Sequence, residues 1–426
     1  MEILSYLNRN FLWGYGTVGL FALLGVYFTV KCRLVQFRLP SLLSATLLRK
    51  TANDGRQLSP VQALSSVLAM TLGTGNIIAI GGALKYGGAG ALFWLVVSGF
   101  LCMGLAYAEN YLGALYRKNG EGGAFRYIKA ALGRNVAVVY AACSLICGFV
   151  MGNMAQTGAM SHVLSESFSL PSPVSGLFAA VILGLVCLGG AKLFGQLAER
   201  FIPLLSALYI GGCVLVVVLN AEAVPDTITR IFTEAFSIRA ASGGAVGGGM
   251  IAAMSWGLRR GIFSNEAGLG TSVTVGVSSA ETSADRIGKW SVLSIYIDTV
   301  LMCSATGFMI LVCKTESLGE SAAAAAFAAT LGGGATKFVA VSVALFALAT
   351  AAGYSVFVRR TLSFLTKNKA VHAVVLTAYA AAAYFGAQGE LPLLFELADS
   401  VNILLALPNI AAVVLLSRKL VKQNRS

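Results

Sequence analysis

Two short polar, glycine-rich runs hold most of the chemistry this chain could perform. The first, Thr71-Leu72-Gly73-Thr74-Gly75-Asn76, interrupts an apolar stretch at about 61–84. The second, Phe263-Ser264-Asn265-Glu266-Ala267-Gly268-Leu269-Gly270, interrupts another at about 246–277. Gly73 and Gly75 permit backbone conformations and close approaches closed to other residues. A helix resuming at Asn76 would begin with free N–H groups and a positive dipole end, which suit a carboxylate. Carbonyls freed before the break can ligate a cation, and Thr71, Thr74 and Asn76 add hydroxyl and amide groups. A plain glycine kink is the simpler alternative. The second run has the same parts in Ser264, Asn265, Gly268, Gly270 and Thr271, and it adds Glu266.

Further polar groups lie inside apolar segments. Glu109, Glu266 and Asp298 are the acids within spans, and Asp399 sits near the start of the last one. Ionisable groups at such depth are candidates for ion handling or gating; pairing of Glu266 with Arg259 or Arg260 is the structural alternative. Asn153 and Gln156 are three apart and share a helix face, either lining a cavity or bonding a neighbouring helix. Thr350 and Tyr354 also share a face, next to Ser355. A hydroxyl there facing the first break would complete a sodium site of hard oxygen ligands, unless it bonds back to its own helix.

The elements that must position these groups are membrane helices. The chain of 426 residues is 57% hydrophobic and 12% charged, against about 25% charged in a soluble domain. Eleven apolar stretches are long enough to span, at roughly 20 residues each with tilt: about 11–30, 61–84, 91–116, 135–162, 174–191, 201–219, 246–277, 290–313, 338–357, 371–388 and 398–417. Backbone groups left unpaired in lipid cost several kcal/mol each, so a break at that depth lines a cavity or is buried in protein. Two breaks in corresponding helices of two halves mark a secondary transporter.

The net charge of +13 reports topology rather than a nucleic-acid partner. With the N-terminus outside, 23 of the 31 basic residues fall in cytoplasmic segments and six outside, the positive-inside bias. Setting aside an extra first helix at 11–30, ten spans divide into two units of five, 61–219 and 246–417. Each opens on an interrupted helix, and an odd count inserts the second upside down, giving a five-plus-five inverted repeat in a single membrane domain, 1–426. The cluster Gly243-Gly244-Ala245-Val246-Gly247-Gly248-Gly249 reads equally as tight packing or a hinge. The N-terminus has no cleavable-signal pattern. The eight cysteines imply no disulfide or metal site. Two histidines, His162 and His372, and no nucleophile, metal or phosphate motif leave little support for catalysis.

At the two breaks the chain resembles the alanine or glycine:cation symporter family. The resemblance rests on Gly73-Thr74-Gly75-Asn76-Ile77 and on Arg260-Gly261-Ile262-Phe263-Ser264-Asn265-Glu266-Ala267-Gly268-Leu269-Gly270. Met151-Gly152-Asn153-Met154 with Gln156, Ile297-Asp298-Thr299 and Ala406-Leu407-Pro408-Asn409 extend it from about Phe11 to Leu416. It implies an all-α, leucine-transporter-like fold and symport of a small neutral amino acid with Na+, or in some members H+, at the cell membrane, without a cofactor or obligate protein partner. It further implies that Gly73, Thr74, Gly75 and Asn76 meet the substrate carboxylate and that Gln156, Phe263 and Ser264 line the pocket, near Thr71, Asn265 and Tyr354. Thr350 would ligate Na+ with carbonyls near Met70 and Gly73. Glu109, Glu266 and Asp298 would serve coupling or gating.

The chain departs from that pattern in places. Ala349-Thr350 stands for Ser-Thr, removing one hydroxyl ligand. Gly353-Tyr354-Ser355 stands for Gly-Trp-Ser, and the smaller, hydrogen-bonding Tyr354 leaves room for a larger or more polar substrate such as glutamine. Val358-Arg359 replaces a Gly-Glu, and Leu105-Ala106-Tyr107 lacks a lysine usual before Glu109. The expected function is thus Na+-coupled amino-acid uptake by alternating access. A proton-driven carrier or exchanger and a non-transporting amino-acid sensor are the alternatives.

Overall fold

The computed structural model describes residues 2–47, 59–118, 122–237, 249–277, 281–315 and 318–422, all of them helical or in turns and loops apart from one isolated bridge residue. The glycine cluster at 243–248 lies outside these residues. The principal helices are α1 (Tyr15–Lys31), α2 (Pro60–Thr71), α3 (Ile78–Gly87), α4 (Gly90–Leu115), α5 (Arg134–Phe149), α6 (Ala155–Phe168), α7 (Ser172–Leu219), α8 (Gly249–Asn265), α9 (Thr271–Gly276), α10 (Ala284–Ile295), α11 (Ser304–Val312), α12 (Ala335–Leu365), α13 (Lys369–Ala387) and α14 (Leu391–Leu416). Among the described residues seven helices are long and apolar enough to cross a membrane, or eight if Ile3–Leu12 and Tyr15–Lys31, bent by 42°, form one span. The two interrupted segments fall outside that count because each is cut into short pieces.

Two of the expected boundaries are corrected. The fifth and sixth spans have no loop at 192–200: α7 runs on through Leu219, and the chain turns at Gly190 alone, whose φ of +69° suits only glycine. Regular helix after the first break resumes at Ile78 rather than Asn76. Thr74–Asn76 forms a tight 3-10 turn instead, in which the Asn76 amide donates to Gly73 O and the Ile77 amide to Thr74 O. Part of the free amide row is thereby consumed locally.

Small residues allow the broken segments to be clamped. A Cβ at Gly257 would sit 2.4 Å from the Ala91 carbonyl oxygen, and one at Gly261 only 1.6 Å from Ser98 Oγ, so α8 lies directly on α4. Helix α2 starts on a reciprocal cap: Ser59 Oγ accepts from the Gln62 amide while Gln62 Oε1 accepts from the Ser59 amide. Two wide π turns complete the frame. Val150–Met154 joins α5 to α6, and Tyr296–Cys303 joins α10 to α11.

Candidate functional site

The first break is buried backbone with one principal side-chain partner. After α2 ends, Gly73 adopts an extended conformation, and the Thr74 amide and hydroxyl both donate to Gln156 Oε1, each at 3.0 Å. Gln156 Nε2 donates in turn to Met151 O at 3.3 Å. Two convergent donors on one side-chain oxygen form a cradle of the kind a carboxylate oxygen would enter. The glycines are required by close approach: a Cβ at Gly73 would lie 2.8 Å from Gln156 Oε1 and 2.9 Å from Thr350 Oγ1, and one at Gly75 3.2 Å from the Phe263 ring. Thr74 and Asn76 are fully buried and Gln156 nearly so, so the junction is closed to solvent.

The cation-candidate groups lie beside this cradle, on the same face of Gly73 as Gln156 Oε1. Thr350 Oγ1 donates to the Ala69 carbonyl at 2.9 Å. That carbonyl belongs to the last turn of α2, one residue before the expected Met70. Met70 instead packs its side chain on Gly353, where a Cβ would meet Met70 Cγ at 2.5 Å. A hydroxyl and a carbonyl oxygen held together in this way are hard donors of the type sodium accepts.

Asp298 joins the two breaks. The Asn76 side-chain amide donates to Asp298 Oδ1, while Ser264 and Thr299 hydroxyls each donate to Oδ2 at 2.8 Å. The carboxyl sits on the wide turn Tyr296–Cys303, a helix defect of the class often found at functional positions. No feature of the sequence announces such a turn, and this hub role was not legible there.

The second break is held differently. Glu266 adopts φ +54° and Gly268 and Gly270 adopt +89° and +76°. For a non-glycine residue that conformation costs on the order of 1–3 kcal/mol and persists only when neighbours fix it. They do: Tyr354 donates to Glu266 Oε1 at 2.7 Å, and Thr271 to Oε2 at 2.5 Å. Asn409 donates to Gly268 O at 2.8 Å and to Glu109 Oε1, while accepting from Tyr127; Tyr140 donates to Leu269 O at 2.7 Å. Asn265 Oδ1 caps the Ala267 amide at 3.0 Å.

Several sequence expectations are thereby settled. Glu266 does not pair with an arginine. Arg259 pairs with Asp399, backed by Glu396 at 3.9 Å, and Arg260 lies 5.4 Å over the Phe263 ring. Asn153 and Gln156 do not share a cavity. The wide turn at Val150–Met154 rotates Asn153 toward α13, where it donates to Tyr379 O, while Gln156 faces the first break. The Thr71 hydroxyl donates to Leu68 O of its own helix at 3.4 Å. Tyr354 packs on Gly152, where a Cβ would lie 2.1 Å from its ring.

A family model described as the sodium:alanine symporter family matches residues 1–426. An uncharacterized transporter, YflA of Bacillus subtilis, is 32% identical, over 96% of this chain and 90% of its own. The sodium/alanine symporter AgcS of Methanococcus maripaludis is 29% identical, over 100% of this chain and 97% of its own. Among solved structures, a substrate-bound, outward-open sodium-coupled sialic acid symporter aligns with a TM-score of 0.55 at 15% identity, covering 88% of this chain and 80% of that one. At that identity the likeness speaks for the fold alone.

Proposed function

The chain belongs to the sodium:alanine symporter family, and on that premise we propose that it is a multi-pass secondary transporter coupling Na+ entry to uptake of a small neutral amino acid. The observation that carries this reading is the double donation of Thr74 onto Gln156 Oε1. A substrate carboxylate would displace the carboxamide oxygen and take both donors. The ammonium would meet Ser264, Phe263 and nearby carbonyls, and Na+ would take Thr350 Oγ1 with carbonyls of the α2 terminus. Tyr354 is committed to Glu266, so the extra room inferred for a larger substrate such as glutamine is partly used by that bond.

The transport cycle follows from the linkage through Asp298. Substrate and ion at the first break change the position of Asn76, and Asp298 passes that change to Ser264 on the second. Coupling of this kind is reciprocal, so Na+ tightens amino-acid binding by the factor by which the amino acid tightens Na+. Eleven spans with the N-terminus outside, arranged as an inverted repeat of 61–219 and 246–417 after an extra first helix, remain the arrangement that loop charge favours. The turn at Gly190 supports reading α7 as two of those spans.

The test is uptake of labelled alanine, glycine or glutamine into proteoliposomes. Inward Na+ gradients should accelerate it, and indifference to every ion gradient would refute symport. Binding without flux would select the sensor reading. A specific observation favours one further variant: among the described residues Glu109, Glu266 and Asp298 are bonded by neutral hydroxyls and amides rather than by cations. A proton-coupled carrier would lose its response to an imposed pH gradient when one of these becomes the amide.

A further inference from the structure

A cavity of about 830 Å³ lies between the first half of α7, the end of α12 and the start of α13, and no residue of either break lines it. Its lining has two parts of different chemistry. Arg359, Lys367, Lys369 and His372 are its basic or ionisable groups, and no carboxylate lines any part of it among the described residues. Leu185, Leu188 and Val181, which are 61%, 86% and 55% exposed, supply an apolar wall from α7, and Leu376 and Ala380 add to it from α13. The bend at Gly190 ends this half of α7 just beyond Leu188. Arg359 is tied to that end, because its guanidinium donates to the Cys187 carbonyl while the side chain lines the cavity.

We propose that this cavity is a binding site for an anionic phospholipid, with the phosphate among Arg359, Lys367 and Lys369 and an acyl chain along Leu185 and Leu188. Charge complementarity selects the headgroup: four basic or ionisable nitrogen groups line the cavity, with no carboxylate among its described lining residues. A basic pocket between membrane helices is the usual setting for such lipids. The apolar wall selects a lipid over a soluble phosphate, since a free anion would leave that wall uncovered. Gly184 keeps the groove open. A Cβ there would meet only Ala380 Cβ, at 4.0 Å, so a larger side chain can grow into the space without displacing backbone. The site lies apart from the transport centre and does not depend on which amino acid is carried.

The test uses the full chain, purified in a nonionic detergent and depleted of lipid, titrated with dioleoyl phosphatidylglycerol, dioleoyl phosphatidylcholine or glycerol phosphate while thermal stability is read, since a ligand of the native state raises it. Phosphatidylglycerol should protect at lower concentration than phosphatidylcholine, and glycerol phosphate should not protect. The double variant K367Q/K369Q, which alters two exposed side chains and leaves the fold intact, should weaken phosphatidylglycerol about thirtyfold, at about fivefold per basic group. Gly184→Phe should abolish protection by filling the groove while leaving the unliganded melting temperature in place. Equal protection by both lipids, or full preference retained in K367Q/K369Q, would overturn the site. Protection by glycerol phosphate matching that of the lipid would overturn the lipid assignment.

Discussion

The two breaks share a glycine-rich composition, yet their backbones are held in opposite ways. At the first, two donors of Thr74 depend on one carboxamide, Gln156, whose own anchor is a single 3.3 Å bond to Met151 O. One side-chain rotation frees both. At the second, Glu266, Gly268 and Leu269 are held from four elements by Tyr354, Thr271, Asn409 and Tyr140. No single rotation releases that segment. The contrast fits the proposed reading of the first break as the binding segment and makes the second a fixed, left-handed scaffold, with Asp298 bonded to both. Asp298 therefore offers the strongest way to break the comparison. Asp298→Asn presents an NH2 group where Asn76 or Ser264 now donates, leaving at least one buried donor unpaired at about 1–3 kcal/mol. Uptake should fall by about five- to 150-fold while the protein stays folded. Wild-type uptake in this variant would show that the breaks move independently.

Gln156 gives the next largest effect. Gln156→Glu supplies the cradle with its own carboxylate, which keeps the Thr74 bonds and repels the substrate's. KM for the amino acid should rise by at least about tenfold, the equivalent of roughly 1.4 kcal/mol, and stability should fall, because a buried carboxylate has no N–H to give Met151 O. Gln156→Ala separates the two roles: the carboxamide is lost, so stability without substrate should drop while added substrate restores it. An unchanged KM in Gln156→Glu would remove Thr74 from the carboxylate site.

The helical class and the positions of both breaks were legible because lipid forbids unpaired backbone, so Gly73, Gly75, Gly268 and Gly270 stand out within apolar runs. Gln156 and Thr350 were legible as polar groups on apolar faces, and both face Gly73. The partners were not. Asn153 follows the same i, i+3 rule as Gln156, yet the wide turn at Val150–Met154 sends it to Tyr379. Asp298 gains its reach from a second wide turn, and such insertions leave no periodic trace. Arg259 stands seven residues before Glu266, near enough in sequence to suggest a pair. The ion pair forms instead with Asp399, from the far end of the chain. The left-handed φ of Glu266 carries its carboxyl toward Tyr354 instead.

A smaller effect tests the scaffold half. Tyr354→Phe deletes one donor to Glu266 and leaves the ring packed on Gly152. Stability should fall by about 1 kcal/mol in thermal denaturation, and uptake should change by less than about threefold. A large loss of uptake with stability intact would move Tyr354 from scaffold to substrate contact and weaken the division between the breaks.

The smallest expected effect sharpens the ion side of the first break. Ala349 precedes Thr350 and is partly exposed to a largely apolar groove of about 360 Å³ that Ala69 also lines. The Ala69 carbonyl is the group that Thr350 already engages. Ala349→Ser would add a hydroxyl to the wall of the groove that Ala69 also lines. One additional neutral oxygen, at about 0.5–1.5 kcal/mol, should lower the Na+ concentration for half-maximal uptake by about two- to tenfold. The amino-acid KM at saturating Na+ should move little, since the bonds of Thr74 and Gln156 involve no atom of Ala349 or Ala69. Lower Na+ demand with unchanged substrate affinity would locate the ion at the end of α2. A change in substrate affinity alone would place the added hydroxyl, and Thr350 with it, in the amino-acid pocket.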